Sequence, residues 1–418
     1  MSSTPVQGVP LTDEAIAAAR RRTLGVLIAG QVLAGIGVGA TLSAGALLIT
    51  EVSGSETLSG MAATMTTIGA AAAAVPLATL ASRRGRAPSL ATGAFVAGAG
   101  AVVGLLAAVL VSTPLLLAGM ILIGVGTAVN LQARFAATDL SEPARRGRDL
   151  ALIVWPTTIG AVLGPNLIEP ADAMGRALGL PALSGPFLFT VTAQLIAGTV
   201  YLVGLRPDPL KLALRLGAER PSAASAVVRT DGNGVATGMI ALALSHATMV
   251  AVMAMTPVHL VHHGATLAVV GFTISLHVLG MYALAPVWGA LSDRRGREAV
   301  IAVGQGLLLA ALLMIAVGAE SELWVAMGLF LIGVGWSAST VAGSALVSDS
   351  VSVTVRARVQ GRSDLLMSSA GAIGGAASGL VLAALGYGGL ALAATGLVAI
   401  VLVALVSRVT RVRREARG

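Results

Sequence analysis

Long apolar runs recur along this chain, and they constrain the fold more than any other feature. A helix needs about 20 mostly apolar residues to cross a bilayer. On that rule the sequence predicts twelve spans, near 23–48, 58–80, 89–111, 114–137, 150–168, 185–205, 236–260, 267–291, 299–318, 323–346, 364–384 and 388–407. The expected fold class is an all-α membrane protein with the lipid bilayer as its constant partner. Composition agrees: 56% of residues are hydrophobic and 11% charged, against about 25% charged in a soluble domain. The absence of cysteine excludes disulfides and thiolate metal sites. A net charge of +8 raises the question of nucleic acid, but the arginines are separated by apolar runs rather than gathered on one face. Membrane topology explains them, and no nucleic-acid partner is expected. The run from Thr23 to Ile49 is too long for a cleaved signal, so it reads as a retained first span.

Arginine placement orients the spans. Arg20–Arg22 precede span 1, Arg83, Arg84 and Arg86 follow span 2, and Arg145, Arg146 and Arg148 follow span 4. Arg206, Lys211, Arg215, Arg220 and Arg229 occupy the segment after span 6. Arg294, Arg295 and Arg297 follow span 8, Arg356, Arg358 and Arg362 follow span 10, and Arg408 to Arg417 form the tail. With twelve spans all of these share one side. The other side holds Glu51, Glu56, Glu169, Asp172, Glu320 and Glu322, with Arg176 its one cation. The expectation is a multi-pass protein of the cytoplasmic (inner) membrane with both termini cytoplasmic.

The two halves repeat. Ala78–Arg86 (ATLASRRGR) corresponds to Gly289–Arg297 (GALSDRRGR), with Gly85 and Gly296 separated by 211 residues. LIGVG occurs at Leu122–Gly126 and again at Leu331–Gly335. A Gly-Arg pair followed by Asp opens span 5 (Gly147, Arg148, Asp149) and span 11 (Gly361, Arg362, Asp364). These matches predict two six-helix pseudo-repeats, 1–205 and 235–418, joined by a cytoplasmic linker at 206–234. A parallel repeat of this kind is a transporter architecture, with the solute site between the halves near the midplane.

The loop GxLxDRxGR at Gly289–Arg297 resembles the signature of the major facilitator superfamily. The resemblance implies that fold, alternating access, and a conformational gate at Gly289, Asp293, Arg294, Gly296 and Arg297. In such a gate Asp293 holds charge contacts between helix ends in one state and releases them in the other. The N-terminal twin departs from the pattern, with Ser82 at the acidic position and Ala78 at the first Gly.

Ionisable groups inside a membrane are costly and mark function. No Asp or Glu falls in the middle of a predicted span. Arg134 closes span 4, where it can snorkel, and His246 and His277 are the titratable side chains left at mid-membrane depth. On a helix, positions three and four apart share a face. His246, Met249 and Met253 therefore form one stripe on span 7, and His277 and Met281 pair on span 8. The antiparallel run of the two spans, at about 1.5 Å per residue, brings Met249, His277 and Met281 to similar depth. Thioethers select Cu(I), and imidazole suits copper as well. His259, His262 and His263 at the outer mouth of span 7 are a candidate collecting point. MxxxM in span 7 followed by HxxxM in span 8 is similar to the CcoA-like copper importers of the superfamily. That resemblance implies copper binding and uptake at Met249, Met253, His277 and Met281.

The leading expectation is thus a monomeric secondary transporter that imports copper as its solute through Met249, Met253, His277 and Met281, assisted by His246, with no cofactor. The first rival is proton-coupled efflux of a small organic compound, with His246 or His277 carrying the proton and Gln31, Asn130, Gln132 and Trp155 as candidate contacts. GAVLGP at Gly160–Pro165 in span 5, similar to part of an antiporter motif, speaks for that rival, although the same small residues also serve helix packing and kinking. A further rival is a membrane metal receptor or assembly factor that does not transport. No nucleophile–base pair, phosphate loop or cofactor fingerprint suggests an enzyme.

Overall fold

The computed structural model describes residues 12–54, 61–219 and 231–415. The sequence-based topology markers Glu56, Arg220, Arg229 and Arg417 lie outside these residues. The described part is helical, with no strand among those residues. Spans 1 to 4 are α1 (Asp13–Ser53), α2 (Met61–Arg84), α3 (Arg86–Val109) and α4 (Thr113–Ala136). Span 5 is split into α5 (Arg146–Val154) and α6 (Thr157–Asn166), and a short α7 (Ile168–Ala177) leads to span 6, α8 (Gly185–Gly204). After α9 (Pro209–Glu219) come span 7, α10 (Gly232–His262), and span 8, split into α11 (Leu267–Tyr282) and α12 (Ala285–Arg295). Spans 9 and 10 are α13 (Arg297–Val317) and α14 (Glu322–Asp349). Spans 11 and 12 are the two arms of α15 (Val353–Glu415), which parts at the non-helical Gly386 (φ 69°, ψ −179°).

Nine helical stretches among the described residues are long and apolar enough to cross a bilayer. One of them, Val353–Arg411, holds two spans. With α1 and the broken α5–α6 pair, the twelve predicted crossings are present. The helices are apolar around their circumference because they face lipid on one side and neighbours of similar polarity on the other. Polarity is confined to their ends. Thr12 caps α1 by accepting the Ala15 N–H, and Asp13 and Glu14 fill its first turn, where the helix dipole favours negative charge.

The breaks in spans 5 and 8 are matched. Span 5 breaks at Trp155–Pro156 and span 8 at Ala283–Leu284, just before Pro286. Proline has no N–H to give and crowds the preceding turn, so each span divides into two short rods. At the arginine-rich end of the molecule α5 packs along α12, whereas the opposite rods, α6 and α11, barely meet. The first six spans and the last six therefore close together at the arginine-rich end and diverge towards the other.

The segment between spans 6 and 7 is more than a tether. Asp208 accepts the N–H groups of Leu210 and Lys211 at the start of α9, and also the N–H of Ala87 at the start of α3 (2.8 Å). Helix α3 begins after Gly85, which has no side chain to cap it, so the cap comes from the linker. Leu210 then packs with Ala81 of α2 and Ala357 of α15, residues from opposite sides of the interface.

Candidate functional site

The arginine-rich end is sealed by charges supplied across the interface. The first N–H groups of any helix lack partners within it, and α5 receives none from its own N-cap side chain. Asp293, at the end of α12, provides them. Its two carboxylate oxygens accept the N–H groups of Gly147 and Arg148, each at 2.9 Å. Arg297 holds Asp293 in place, donates to Asp349 (3.0 Å), and reaches across to the Pro143 carbonyl (2.9 Å). Arg146 of α5 donates to the other oxygen of Asp349. Gly289 sits against Gly147 so closely that a Cβ on Gly289 would stand 2.5 Å from the Gly147 carbonyl oxygen. Gly296 turns the chain between α12 and α13 at φ 95°, while Arg294 is exposed. The predicted gate residues are thus brought together, apart from Arg294. In the N-terminal twin, Ser82 bonds only to the Thr79 carbonyl of its own helix. Arg86 there pairs with Asp139 (2.7 Å) and donates to Gln360 across the interface (2.7 Å).

Deeper in the interface lies a pair that the sequence reading misplaced. Arg134 does not snorkel to a membrane surface. It is buried and donates to Asp364 of α15 at 2.6 Å, with side-chain exposures of 3% and 1%. Asp364 is not at a helix end either, because α15 starts at Val353, eleven residues earlier. The placing of Asp364 at a helix end is therefore corrected: it is a carboxylate buried between the two groups of spans. The cause of the misplacement is the polar composition of 353–363 (VTVRARVQGRS), which reads as loop by hydropathy but continues the helix. A single Arg in span 4 facing a single Asp in span 11 was the available signal.

The pair leaves Arg134 Nε and Asp364 Oδ2 without hydrogen-bond partners. One turn along α4, the Asn130 Oδ1 is likewise unpartnered. On the other side, Trp336 of α14 donates its indole N–H to His246 Nδ1 (3.1 Å) and meets Tyr282 edge-on at 6.0 Å. An indole N–H can only donate, so His246 is the neutral tautomer protonated at Nε2. Thr340 and Ser344, further along α14, carry buried hydroxyls without partners. Of these, Arg134 and Asp364 join the two groups of spans directly, and the others are buried or half-buried polar side chains of α4, α10, α11 and α14.

The other candidates fall in different places. Gln31 donates to the Ile153 carbonyl (3.3 Å) and keeps its Oε1 unpartnered, and Trp155 stands 43% exposed at the break in span 5. Gln132 is taken up inside the first group of spans, bonding to the Ala74 carbonyl and to Ser89. Met249 and Met281 are buried in one hydrophobic cluster, with Met253 packed at its edge. His277 is fully buried and donates from Nδ1 to the Leu329 carbonyl (2.7 Å), which leaves a bare Nε2 lone pair. His246 engages α14 at Trp336, seven residues from Leu329, or about 10 Å along that helix. Among the described residues no group of three His, Cys, Asp or Glu could hold a metal ion. At the end away from the arginine-rich seal, His259 stacks on Tyr387 (4.2 Å) and donates to the Ala319 carbonyl, and His263 pairs with Glu320 (3.2 Å). These two tie α10 to its neighbours, and His262 is exposed.

Twelve crossings in two matched sets, closed at one end and joined by a buried Arg–Asp pair, define a membrane transporter. The family model described as Major Facilitator Superfamily matches residues 27–263 and 238–418. The chain belongs to that superfamily, whose members are transporters and not enzymes. It is 36% identical over 404 residues to the uncharacterized MFS-type transporter YddS of Bacillus subtilis (strain 168), covering 95% of this chain and 93% of that one. It is 27% identical to the riboflavin transporter RfnT of Brucella anthropi, covering 94% of this chain and 97% of that one. Among solved structures, the human organic anion transporter MFSD10 superposes with a TM-score of 0.73 at 17% identity, over 92% of this chain and 99% of that one.

Proposed function

We propose that this transporter moves a small polar organic solute between its two groups of spans, coupled to protons at Asp364. The carrying observation is the buried Arg134–Asp364 pair joining α4 to α15. Removing one partner of such a pair strands the other, at a cost of about 3–5 kcal/mol. The halves can part at this point only if Asp364 takes a proton, or if another group replaces it on Arg134. Either event links opening to cargo or proton. Asn130, Arg134, Trp336 and Thr340 are the proposed solute contacts. The positive-inside rule supports a reading in which the sealed, arginine-rich end faces the cytoplasm at a bacterial inner membrane, with both termini on that side. The state described is then open outward.

Riboflavin is the first solute to try, given the relative that carries it, followed by organic anions. In proteoliposomes, Asp364→Asn is expected to abolish uptake or efflux driven by a pH gradient while solute exchange at equal pH persists. Gradient-driven transport by a well-inserted Asp364→Asn protein would overturn the proton role.

One observation favours copper as the second reading. The unpartnered His277 Nε2 lies on the same helix as Met281, and its Nδ1–H is held by a carbonyl, as metal-ligating imidazoles usually are. His246 does not assist in this arrangement, since Trp336 uses its free lone pair. Radiolabelled copper uptake that is lost in Met249→Ala, Met253→Ala, His277→Ala and Met281→Ala, but kept in Asp364→Asn, would establish copper over the organic solute.

A further inference from the structure

The charged seal at the arginine-rich end carries one more cation than it can pair. Arg86, Arg146, Arg297 and Arg356 lie there with Asp139, Asp293 and Asp349. Three of the arginines have carboxylate partners. Arg356 has none: it is 3% exposed, it makes no hydrogen bond, and its Nε and Nη1 are buried and unpartnered. It stands in the first turn of α15. Its surroundings are the same network: Arg146 and Arg297 hold Asp349, seven residues before it in the chain, and Arg86 reaches across to Gln360, one turn beyond it on α15. Arg146 spends one terminal nitrogen on Asp349, and its own Nε is also buried and without a partner.

Two guanidinium groups, one from each group of spans, therefore leave N–H donors unpartnered in the same seal. A buried unpaired charge is costly, and a phosphate oxyanion satisfies such donors through charge-assisted hydrogen bonds. The N-terminus of α15 adds a favourable dipole for negative charge.

We propose that Arg356 and Arg146 form an anion site for a phosphate group, and that the bound anion staples the two halves of the transporter together at the arginine-rich end. The site is whole only while the seal is closed, since Arg146 and Arg356 come from opposite sides. The anion therefore favours the closed seal and slows the step that opens it. Free inorganic phosphate and the headgroup of an anionic phospholipid present the same chemistry. The inference does not rest on the identity of the transported solute.

The test uses the full chain in nanodiscs of neutral lipid, with spin labels on introduced cysteines at the exposed Arg83 and Arg358. The native chain has no cysteine to interfere. Inorganic phosphate is titrated at constant ionic strength, and the closed fraction is read from the distance distribution. Wild type is expected to close further with saturation, and Arg356→Gln to lose about tenfold or more in apparent phosphate affinity, the worth of a charge-assisted hydrogen bond. Arg356→Lys, which keeps the charge and loses the fork, is expected to fall between. If the source is lipid, free phosphate has little effect and nanodiscs containing an anionic phospholipid close wild type but not Arg356→Gln. Failure of both anion sources to separate wild type from Arg356→Gln would overturn the site. Because the readout is seal closure, it is independent of whether Asp364 couples protons.

Discussion

Replacing Gly289 by alanine adds one carbon atom, and the seal has no room for it. The new Cβ would lie 2.5 Å from the Gly147 carbonyl oxygen and 2.6 Å from the Ala151 Cβ. The first of these is backbone, so no side chain can turn aside. Ordinary contact begins near 3.4 Å, which means that α12 and α5 must separate by nearly an ångström or the seal must open. Overpacking of this kind costs about 1–3 kcal/mol. Charged to the sealed state alone, that shifts the population towards the opposite state by about 5- to 150-fold. Within the helix itself the same substitution is favourable, because alanine exceeds glycine in helix propensity by about 1 kcal/mol. The two effects have opposite signs and separate cleanly. Gly306→Ala in α13 meets nothing within 4 Å and serves as the control for propensity. Spin-label distances between positions 83 and 358 are expected to lengthen in Gly289→Ala and to match wild type in Gly306→Ala. An unchanged distance distribution in a correctly folded Gly289→Ala protein would refute the argument that this close approach is specific to the sealed state.

Three further outcomes follow from the same contacts. Arg134→Gln and Asp364→Asn singly are each expected to destabilise the protein by about 3–5 kcal/mol, and the double variant by clearly less, because neither charge is then stranded; melting in detergent reads this, and simple additivity would count against the pair. Leu210→Asp should release α9 from the seam, seen as faster hydrogen exchange in α9 and in the first turns of α15, since Leu210 is buried between Ala81 and Ala357. Asp231 sits outside the spans. Burial pushes its carboxyl up, but the Gly234 N–H and the Arg408 guanidinium outweigh that and hold it below its ordinary value of 3.8. Its contribution is therefore present above about pH 4 and lost as pH falls through the lowered value. The melting difference between wild type and Asp231→Asn should shrink only on the acid side of that point.

The fold was legible because its signal is hydropathy, and lipid enforces hydropathy strictly. The gate was legible in part. The spacing in Gly289–Arg297 placed Asp293 and Arg297 at a helix end, but nothing in one loop could say that the acceptors of Asp293 are the N–H groups of a helix in the other half of the chain. The central pair was missed for a definite reason. Hydropathy marks where a helix enters the membrane, not where it starts, so the polar residues 353–363 hid three turns of α15. The spacing of His246, Met249 and Met253 predicts one helical face, yet a face has a neighbour, and the neighbour decides its use. For His246 that neighbour is Trp336, ninety residues away.

The repeat explains why the central pair exists at all. Gly147 in span 5 faces Gly289, and Gly361 in span 11 faces Ala78, so the two contacts are equivalent between the halves. Measured from those glycines, the acidic residue comes two positions later in the first copy, as Asp149, and three positions later in the second, as Asp364. One residue turns a helix by about 100°. Asp149 therefore looks back into its own group, where it binds Arg20 (2.7 Å) and Ser141. Asp364 is turned towards the other group, where it meets Arg134. A one-residue offset converts a bond within one half into a bond between halves. On the proposed reading the first kind holds a rigid body together through the cycle, and the second is broken each time the halves rock. Moving the acid back by one position, as Ser363→Asp with Asp364→Ser, should keep a carboxylate at the same height but remove it from Arg134, leaving a protein that seals and opens without reference to a pH gradient.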